Sequence, residues 1–384
     1  MHLLRKPTHL SDVIAAVEAG KRLCRDDARV LYEEAPLSEL GRLSALIRQR
    51  LLPGKQVTFL IDRNINYTNV CNTDCSFCGF YRHNPRDPES YVLSRAVIGK
   101  KIEEALALGA TRILLQGGHN DELPYTYYVE LIEWLHNTFP IELNAFSPSE
   151  VQQMARISGK SYFEILSELK SVGLAGLPGG GGEILDDEVR RRVSPKKIKA
   201  DEWIEVMRVA HGLDLTTTAT MVIGFGETIE QRLNHFDRVR NLQEETHARG
   251  LRGFNGFISW PLQSNENTSL GRSRKSATYG AGTDEYLRNA TLARIYLQTI
   301  PHHQSSWPTM GGEVAQRGLT YGLDDIGSTM MEENVVSQAG GKSKEKWAMS
   351  PEELCGMITA AGFTPAQRNS RYETLHVLEK SLTR

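Results

Sequence analysis

Apolar and polar positions alternate along this chain with two different periods. Over residues 11–51 apolar residues recur at helical spacing in two runs, SDVIAAVEAGKRLC, opened by a capping Ser11, and SELGRLSALIRQRL. This predicts two helices. Beyond them, short runs rich in β-branched and aromatic residues predict strands at 57–67, 111–116, 140–146, 173–177, 215–223, 254–260, 302–307 and 324–329. Helical spacing fills the intervals, most clearly at 94–108, 125–138, 161–172, 200–212, 228–248 and 283–299. Strands separated by helices pair in parallel through right-handed crossovers. Eight such units are the arithmetic of a (β/α)8 barrel, and a doubly wound open sheet is the alternative the same alternation allows. The expectation is an α/β protein in three parts. A helical extension occupies 1–52, a TIM-type barrel 53–363, and a short tail packed on the barrel 364–384, with one strand-like run from Tyr372 to Leu378.

The predicted strand ends are rich in glycine and polar residues: Asn66–Asn69, Gln116–His119, Gly179–Glu183, Gly224–Glu227 and Gln263–Asn267. In a parallel barrel the C-terminal strand ends carry the active site. Glycines at Gly117 and Gly118 let a backbone approach a ligand closely, although a plain turn reads the same way. His119, which follows, suits either a proton-transfer role or an exposed loop. Strand alternation points some of Thr216, Thr217, Thr218, Thr220 and Met221 into the barrel. Trp260 and Gln263 suit an aromatic floor with a polar anchor for substrate. His302 and His303 face opposite sides of their strand, so at most one reaches the site. Ser305 shares that strand, Asp325 and Ser328 lie on the next, and Glu332-Glu333-Asn334 follows it. Asp325 and Glu332 are acid/base candidates there. The polar stretch 264–282, SNENTSLGRSRKSATYGAG, is expected to be a long loop able to act as a lid.

Composition narrows the classes. Of 384 residues, 40% are hydrophobic and 24% charged, enough for a large core. Lys and Arg number 45 against 47 Asp and Glu, which gives no electrostatic reason to expect nucleic acid or a membrane surface as partner. No apolar run approaches the ~20 residues that span a bilayer. The first residues lack a signal-peptide pattern, so the expected location is cytoplasmic.

Three of the five cysteines fall within eight positions, Cys71-Asn-Thr-Asp-Cys75-Ser-Phe-Cys78, just after the first predicted strand. Such crowding is a poor disulfide framework and a good metal site. Cys24 and Cys355 are isolated and read as small apolar residues. Three thiolates at this spacing can hold three corners of a 4Fe–4S cluster and leave one iron open, as a catalytic metal site requires. The competing reading is a Cys3His zinc site completed by His83, in a binding or scaffold barrel.

The segment from Asn64 to Arg82, NINYTNVCNTDCSFCGFYR, resembles the branch of the radical S-adenosylmethionine (SAM) enzymes that serves the futalosine route to menaquinone and the deazaflavin cofactors. PGGGGEIL (178–185), ATMVIGFGE (219–227), FISWPLQ (257–263) followed by Asn267-Thr268, and GSTMMEENVVSQAG (327–340) carry the likeness along the whole barrel. Within the branch they are most similar to the cyclic dehypoxanthinyl futalosine synthases, ahead of the aminofutalosine and deazaflavin synthases. Gly79 departs from a more usual Ala, and Ser264-Asn265-Glu266 from a Pro-Gly pair. The resemblance implies a cluster on Cys71, Cys75 and Cys78 with SAM at the open iron. It implies cofactor contacts at Phe77, Tyr81, Gln116, Gly117, Gly118, Glu183, Thr218 and Met221, with Glu183 on the SAM ribose. Glu183 otherwise reads as a first-turn carboxylate of the next helix. Substrate contacts are expected at Asn66, Trp260, Gln263, Ser305 and Ser328, and proton transfer at Glu183, His119, Glu332 or Asp325. The implied reaction takes a hydrogen from a sugar carbon and closes a spiro ring onto a benzoate. SAM is consumed, and the electron comes from a donor such as flavodoxin or ferredoxin.

Overall fold

The computed structural model describes residues 9–332, 334–339 and 348–378. Three helices precede the sheet, not two: α1 (Leu10–Glu18), α2 (Arg25–Glu34) and α3 (Leu37–Leu51). The unexpected one, RDDARVLYEE, buries only Ala28 and Leu31, so its apolar face is too narrow for periodicity to show. Asp27 caps it by accepting from the Cys24 amide at 2.8 Å. Arg25 then ties it to the barrel through Glu230 and Asp237.

The first predicted strand divides at Ile61 into β1 (Gln56–Leu60) and β2 (Asp62–Asn66). The alternation then runs α4 (Arg95–Ala107), β3 (Arg112–Gln116), α5 (Tyr125–Thr138), β4 (Glu142–Ala145), α6 (Pro148–Ser158), α7 (Tyr162–Ser171), β5 (Gly176–Leu177), α8 (Asp187–Val193), α9 (Ala200–Gly212), β6 (Thr216–Ile223), α10 (Ile229–Ala248) and β7 (Phe254–Pro261). It continues with α11 (Thr283–Tyr296), β8 (His302–Gln304), α12 (Trp307–Met310), α13 (Gly312–Thr320), β9 (Asp325–Ser328), α14 (Asn334–Gln338), α15 (Pro351–Ala360), β10 (Thr364–Arg368) and β11 (Thr374–Val377). The sheet order is β11-β10-β1-β9-β8-β7-β6-β5-β4-β3-β2, all parallel except β11. Because β1 and β2 are one run of chain, the ends of this sheet meet. The Thr329 amide donates to Leu60 O at 3.1 Å and the Asn64 amide to Met331 O at 3.0 Å. The eightfold alternation thus folds as the TIM-type barrel expected of it.

Residues 364–378 add two strands to the barrel sheet. β10 extends the sheet along β1, in register from Gln56↔Thr364 to Phe59↔Gln367. Residues 369–373 then pass beneath the N-terminal strand ends. Ser370 accepts from Asn144 on β4 at 2.7 Å and from Asn255 on β7 at 3.2 Å. Tyr372 stacks on His302 of β8 with ring centroids 3.8 Å apart.

Candidate active site

At the opposite, C-terminal end of the strands the cysteine loop leaves β2 and folds across the barrel mouth. It is fastened by its backbone: Cys71 N to Arg82 O at 3.0 Å, Asn72 N to His119 O at 3.2 Å, and Ser76 N to Val193 O at 2.8 Å. Leu270 of the 264–282 loop donates to Ser76 O at 2.9 Å, and Gly280 to Gly224 O at 2.7 Å, so that loop is docked on the cysteine segment. The Thr73 hydroxyl lies 3.1 Å from Cys71 Sγ and 3.4 Å from Cys75 Sγ, drawing the two sulfurs together. None of the five cysteines is in a disulfide. Burial pushes the Cys75 thiol up to about 12 and raises that of Cys78. Thiolates here therefore need a positively charged partner.

Gly117 and Gly118 pack directly under the cysteine loop. A Cβ on Gly118 would lie 2.2 Å from Val70 O, and one on Gly117 2.5 Å from the Tyr67 ring, so both glycines seat the cysteine loop itself. Gln116 ends β3, with its amide on Phe146 O at 3.2 Å. His119 is buried, and burial lowers its imidazole to about 3, which keeps it neutral at pH 7. Phe77 packs 5.2 Å from Phe225, under the mouth. Glu183 has φ +31° and a nearly buried carboxylate, 2.6 Å from Lys197 Nζ and 3.4 Å from Arg190 Nη1. Thr218 and Thr220 both turn toward Gly179, accepting from its amide at 3.2 Å and donating to its carbonyl at 2.5 Å respectively.

Residues 65–239 match the family described as the radical SAM superfamily, and residues 251–381 the CofH/MqnC C-terminal region. The chain is 44% identical over 361 residues to the cyclic dehypoxanthine futalosine synthase of Halalkalibacterium halodurans, covering 94% of this chain and 93% of that one. This chain belongs to the radical SAM superfamily. It is also 35% identical to the aminodeoxyfutalosine synthase of Thermus thermophilus, over 99% of both chains. Among solved structures, methylornithine synthase shares the fold at TM-score 0.72 and 16% identity, over 92% of this chain and 97% of that one.

Radical SAM enzymes hold a 4Fe–4S cluster and SAM, and the residues at this mouth fit both. Three free thiols share one loop, a buried cation lies beside them, and no neighbouring cysteine competes for the fourth corner. His83, the fourth ligand of the zinc reading, gives its Nε2 to Asp74 and meets Tyr81 edge-to-face, ring centroids 4.7 Å apart. Tyr81 in turn lines, with Cys78, Gly79 and Arg272, an open cavity of about 360 Å³. Asn66 lies at the mouth between Gln116 O at 3.2 Å and the Asn334 amide at 3.1 Å. Phe257 packs outward on Phe236 of α10, so alternation turns Trp260 into the barrel. Gln263 folds back on Pro261 O at 3.0 Å. Ser328 Oγ, nearly buried, accepts from Met330 N at 3.3 Å.

Four expected site residues are groups the fold directs elsewhere. Met221 has the opposite parity to Thr218 and Thr220, and its sulfur meets Asn289 of α11 outside the barrel at 3.8 Å. Ser305 donates to Ala315 O of α13 at 2.9 Å, also outside. Asp325 is fully buried under Arg368 at 2.6 Å and Thr58 at 2.7 Å, beside the segment that closes the bottom of the barrel. Glu332 is bound by Arg63 at 2.7 Å and by Lys101 of α4, on the outer layer. Neither histidine of β8 reaches the mouth: His302 bonds Asp324 at 2.6 Å beneath the barrel, and His303 packs outward on Phe257. Short strands in a tilted barrel hide this from the sequence, because parity counted from an uncertain first residue flips inside and outside. Glu333 lies outside the described residues.

Sequence reasoning missed Lys197, Arg190 and Glu150. The first two sit in the runs RRR and KKIK, which read as solvated charge. Glu150 reads as a first-turn carboxylate of α6, yet it is buried and accepts from Tyr67 OH at 2.8 Å, Ser147 Oγ at 2.8 Å and Gly117 N at 3.0 Å.

Proposed function

We propose that this chain closes dehypoxanthinyl futalosine into its cyclic form in the futalosine route to menaquinone. The observation that carries the reading is 44% identity across 94% of the chain to a synthase of that name, against 35% to the sister aminodeoxyfutalosine synthase. When bound on Cys71, Cys75 and Cys78, the 4Fe–4S cluster supplies the electron that splits SAM into methionine and a 5′-deoxyadenosyl radical.

The chain itself holds and shields. Gly179–Gly182 with Thr218 and Thr220 give SAM a wall without bulky side chains, and Gln116 and Glu183 offer it polar atoms. Phe77 over Phe225 supplies an aromatic surface for adenine, and Trp260 one for the benzoate ring. The 264–282 loop, docked on the cysteine segment, is placed to shield the mouth, as a reaction at one C–H bond demands. In the substrate, the C4′ hydrogen would pass to the deoxyadenosyl radical to give 5′-deoxyadenosine, C4′ would bond to the ring, and loss of one proton to a base and one electron to a one-electron acceptor, such as the oxidised cluster, would restore aromaticity. We assign the substrate contacts to the buried Asn66 and Ser328, with the neutral His119 as a hydrogen-bonding group. A low-potential protein such as flavodoxin or ferredoxin is the fitting electron donor.

The test is anaerobic turnover of iron- and sulfide-reconstituted, reduced protein with SAM and dehypoxanthinyl futalosine, followed by mass spectrometry. The reading requires 5′-deoxyadenosine and a product two hydrogens lighter than substrate, formed together. SAM cleavage that leaves this substrate intact would move the specificity to a sister reaction.

A further inference from the structure

Lys197 stands in the run Lys196-Lys197-Ile198-Lys199, between α8 and α9. The fold separates it from its neighbour. Lys196 pairs with Asp74 with its side chain 62% exposed, whereas the Lys197 side chain is 14% exposed. Its ammonium lies 2.6 Å from Glu183 and 5.6 Å from the centre of Phe77, the ring between the second and third cysteines. The backbone places it there. Lys197 N donates to Ser194 O at 3.0 Å, while Arg190 clamps the surrounding chain through Ile198 O, Gly181 O and Gly182 O. Gly181 has φ +77°, and a Cβ there would lie 3.4 Å from Lys197 Cε, so the lysine stem runs alongside the glycine run.

The local charge does not balance. Two buried cations, Lys197 and Arg190, face one buried carboxylate, Glu183. Glu150, the other buried carboxylate in the field of Lys197, directs its hydrogen bonds to Tyr67, Ser147 and Gly117 instead. A buried cation needs an anionic partner to offset its lost hydration. The thiols of Cys75 and Cys78 both lie in the field of Lys197. A cubane held by three thiolates is net negative and gains a further negative charge on reduction, so a fixed cation beside it favours the reduced form.

We propose that Lys197 is a positioning residue that tunes the cluster: its buried ammonium compensates the reduced cluster on Cys71, Cys75 and Cys78, raising its potential, and anchors Glu183 at the mouth. This rests on the radical SAM chemistry of the chain and not on the identity of its substrate.

The experiment is a redox titration of the reconstituted full chain, followed by electron paramagnetic resonance, with neither SAM nor substrate present. Lys197→Met, checked for iron content and circular dichroism, is expected to cut the reduced-to-oxidised ratio at a fixed potential at least tenfold, a shift of about 59 mV for one electron. Lys197→Arg keeps the charge and should stay near the wild type. Glu183→Gln removes a nearby negative charge and should raise the potential; it decides the matter if Lys197→Met takes up no iron. An unmoved potential in iron-replete Lys197→Met, or in Glu183→Gln, overturns the proposal. So does an unchanged potential in Lys197→Met accompanied by lost SAM affinity in a separate binding titration, which would place Lys197 on SAM alone. Turnover of substrate is not read, so failure here leaves the cyclase reading untouched.

Discussion

Cys75 shows how far a single position carries the chemistry. Its thiol is 5% exposed on a loop tied to the barrel by main-chain bonds that do not involve its sulfur. Cys75→Ala should therefore abolish iron retention and SAM cleavage while the circular-dichroism melt stays cooperative; loss of the melt would make the metal structural. Glu150 gives a different residue-scale expectation. Burial raises its carboxyl from 4.5 to about 7, despite three hydrogen bonds that favour the charged form. The folded state thus holds a proton that the unfolded state has released, and stability falls as pH rises from about 4.5 to about 7. Glu150→Gln keeps the shape and has no charge to bury. In thermal melts it should be even with the wild type near pH 4.5 and ahead by on the order of 1–3 kcal/mol at pH 7.5. A wild type whose melting point does not fall relative to the variant across that window would refute the assignment. The cysteine triplet was legible because its spacing is local. Glu150 was not, because only the fold shows that the first turn of α6 is buried against β3.

At the scale of elements, β10 and the segment after it decide what lies beneath the barrel. Arg368 ends β10 and reaches Asp325 on β9 at 2.6 Å, with Tyr372 3.7 Å from its guanidinium carbon. Removing one partner of a buried pair leaves the other charge unsatisfied, at a cost of about 3–5 kcal/mol. Arg368→Met is expected to lower the urea midpoint accordingly. The double variant with Asp325→Asn should recover part of that loss, since the orphaned charge is gone. If Asp325 served as a proton-transfer group instead, Asp325→Asn would stop turnover in protein that still melts at the wild-type temperature. The element pattern was read well where strands are long. It failed for α2, whose surface is mostly charged, and at Ile61, where one run of sequence serves two sheet neighbours.

Over the whole molecule, the three expected parts behave as one packed body. α3 and α2 cover α10 and α11, Arg22 and Arg25 pair with α10, and β10 continues the barrel sheet. A chain ending at Phe363 should consequently lose its cooperative melt or become insoluble, because it uncovers β1 and the underside of β4, β7 and β8. A soluble truncated chain with the full-length melting temperature would show that the segment is dispensable. Among the described residues no helix is long and apolar enough to cross a membrane. By itself the sequence determined the alternating architecture, the cysteine triplet and the family, because periodicity, spacing and extended motifs are properties of neighbouring residues. Only the tertiary structure decided which face of each short strand looks inward, and it turned Met221, Ser305, Asp325 and Glu332 away from the mouth. It alone brought Lys197 and Arg190 to Glu183 from outside the glycine motif, because burial and charge pairing between separate loops are set by packing and not by sequence distance.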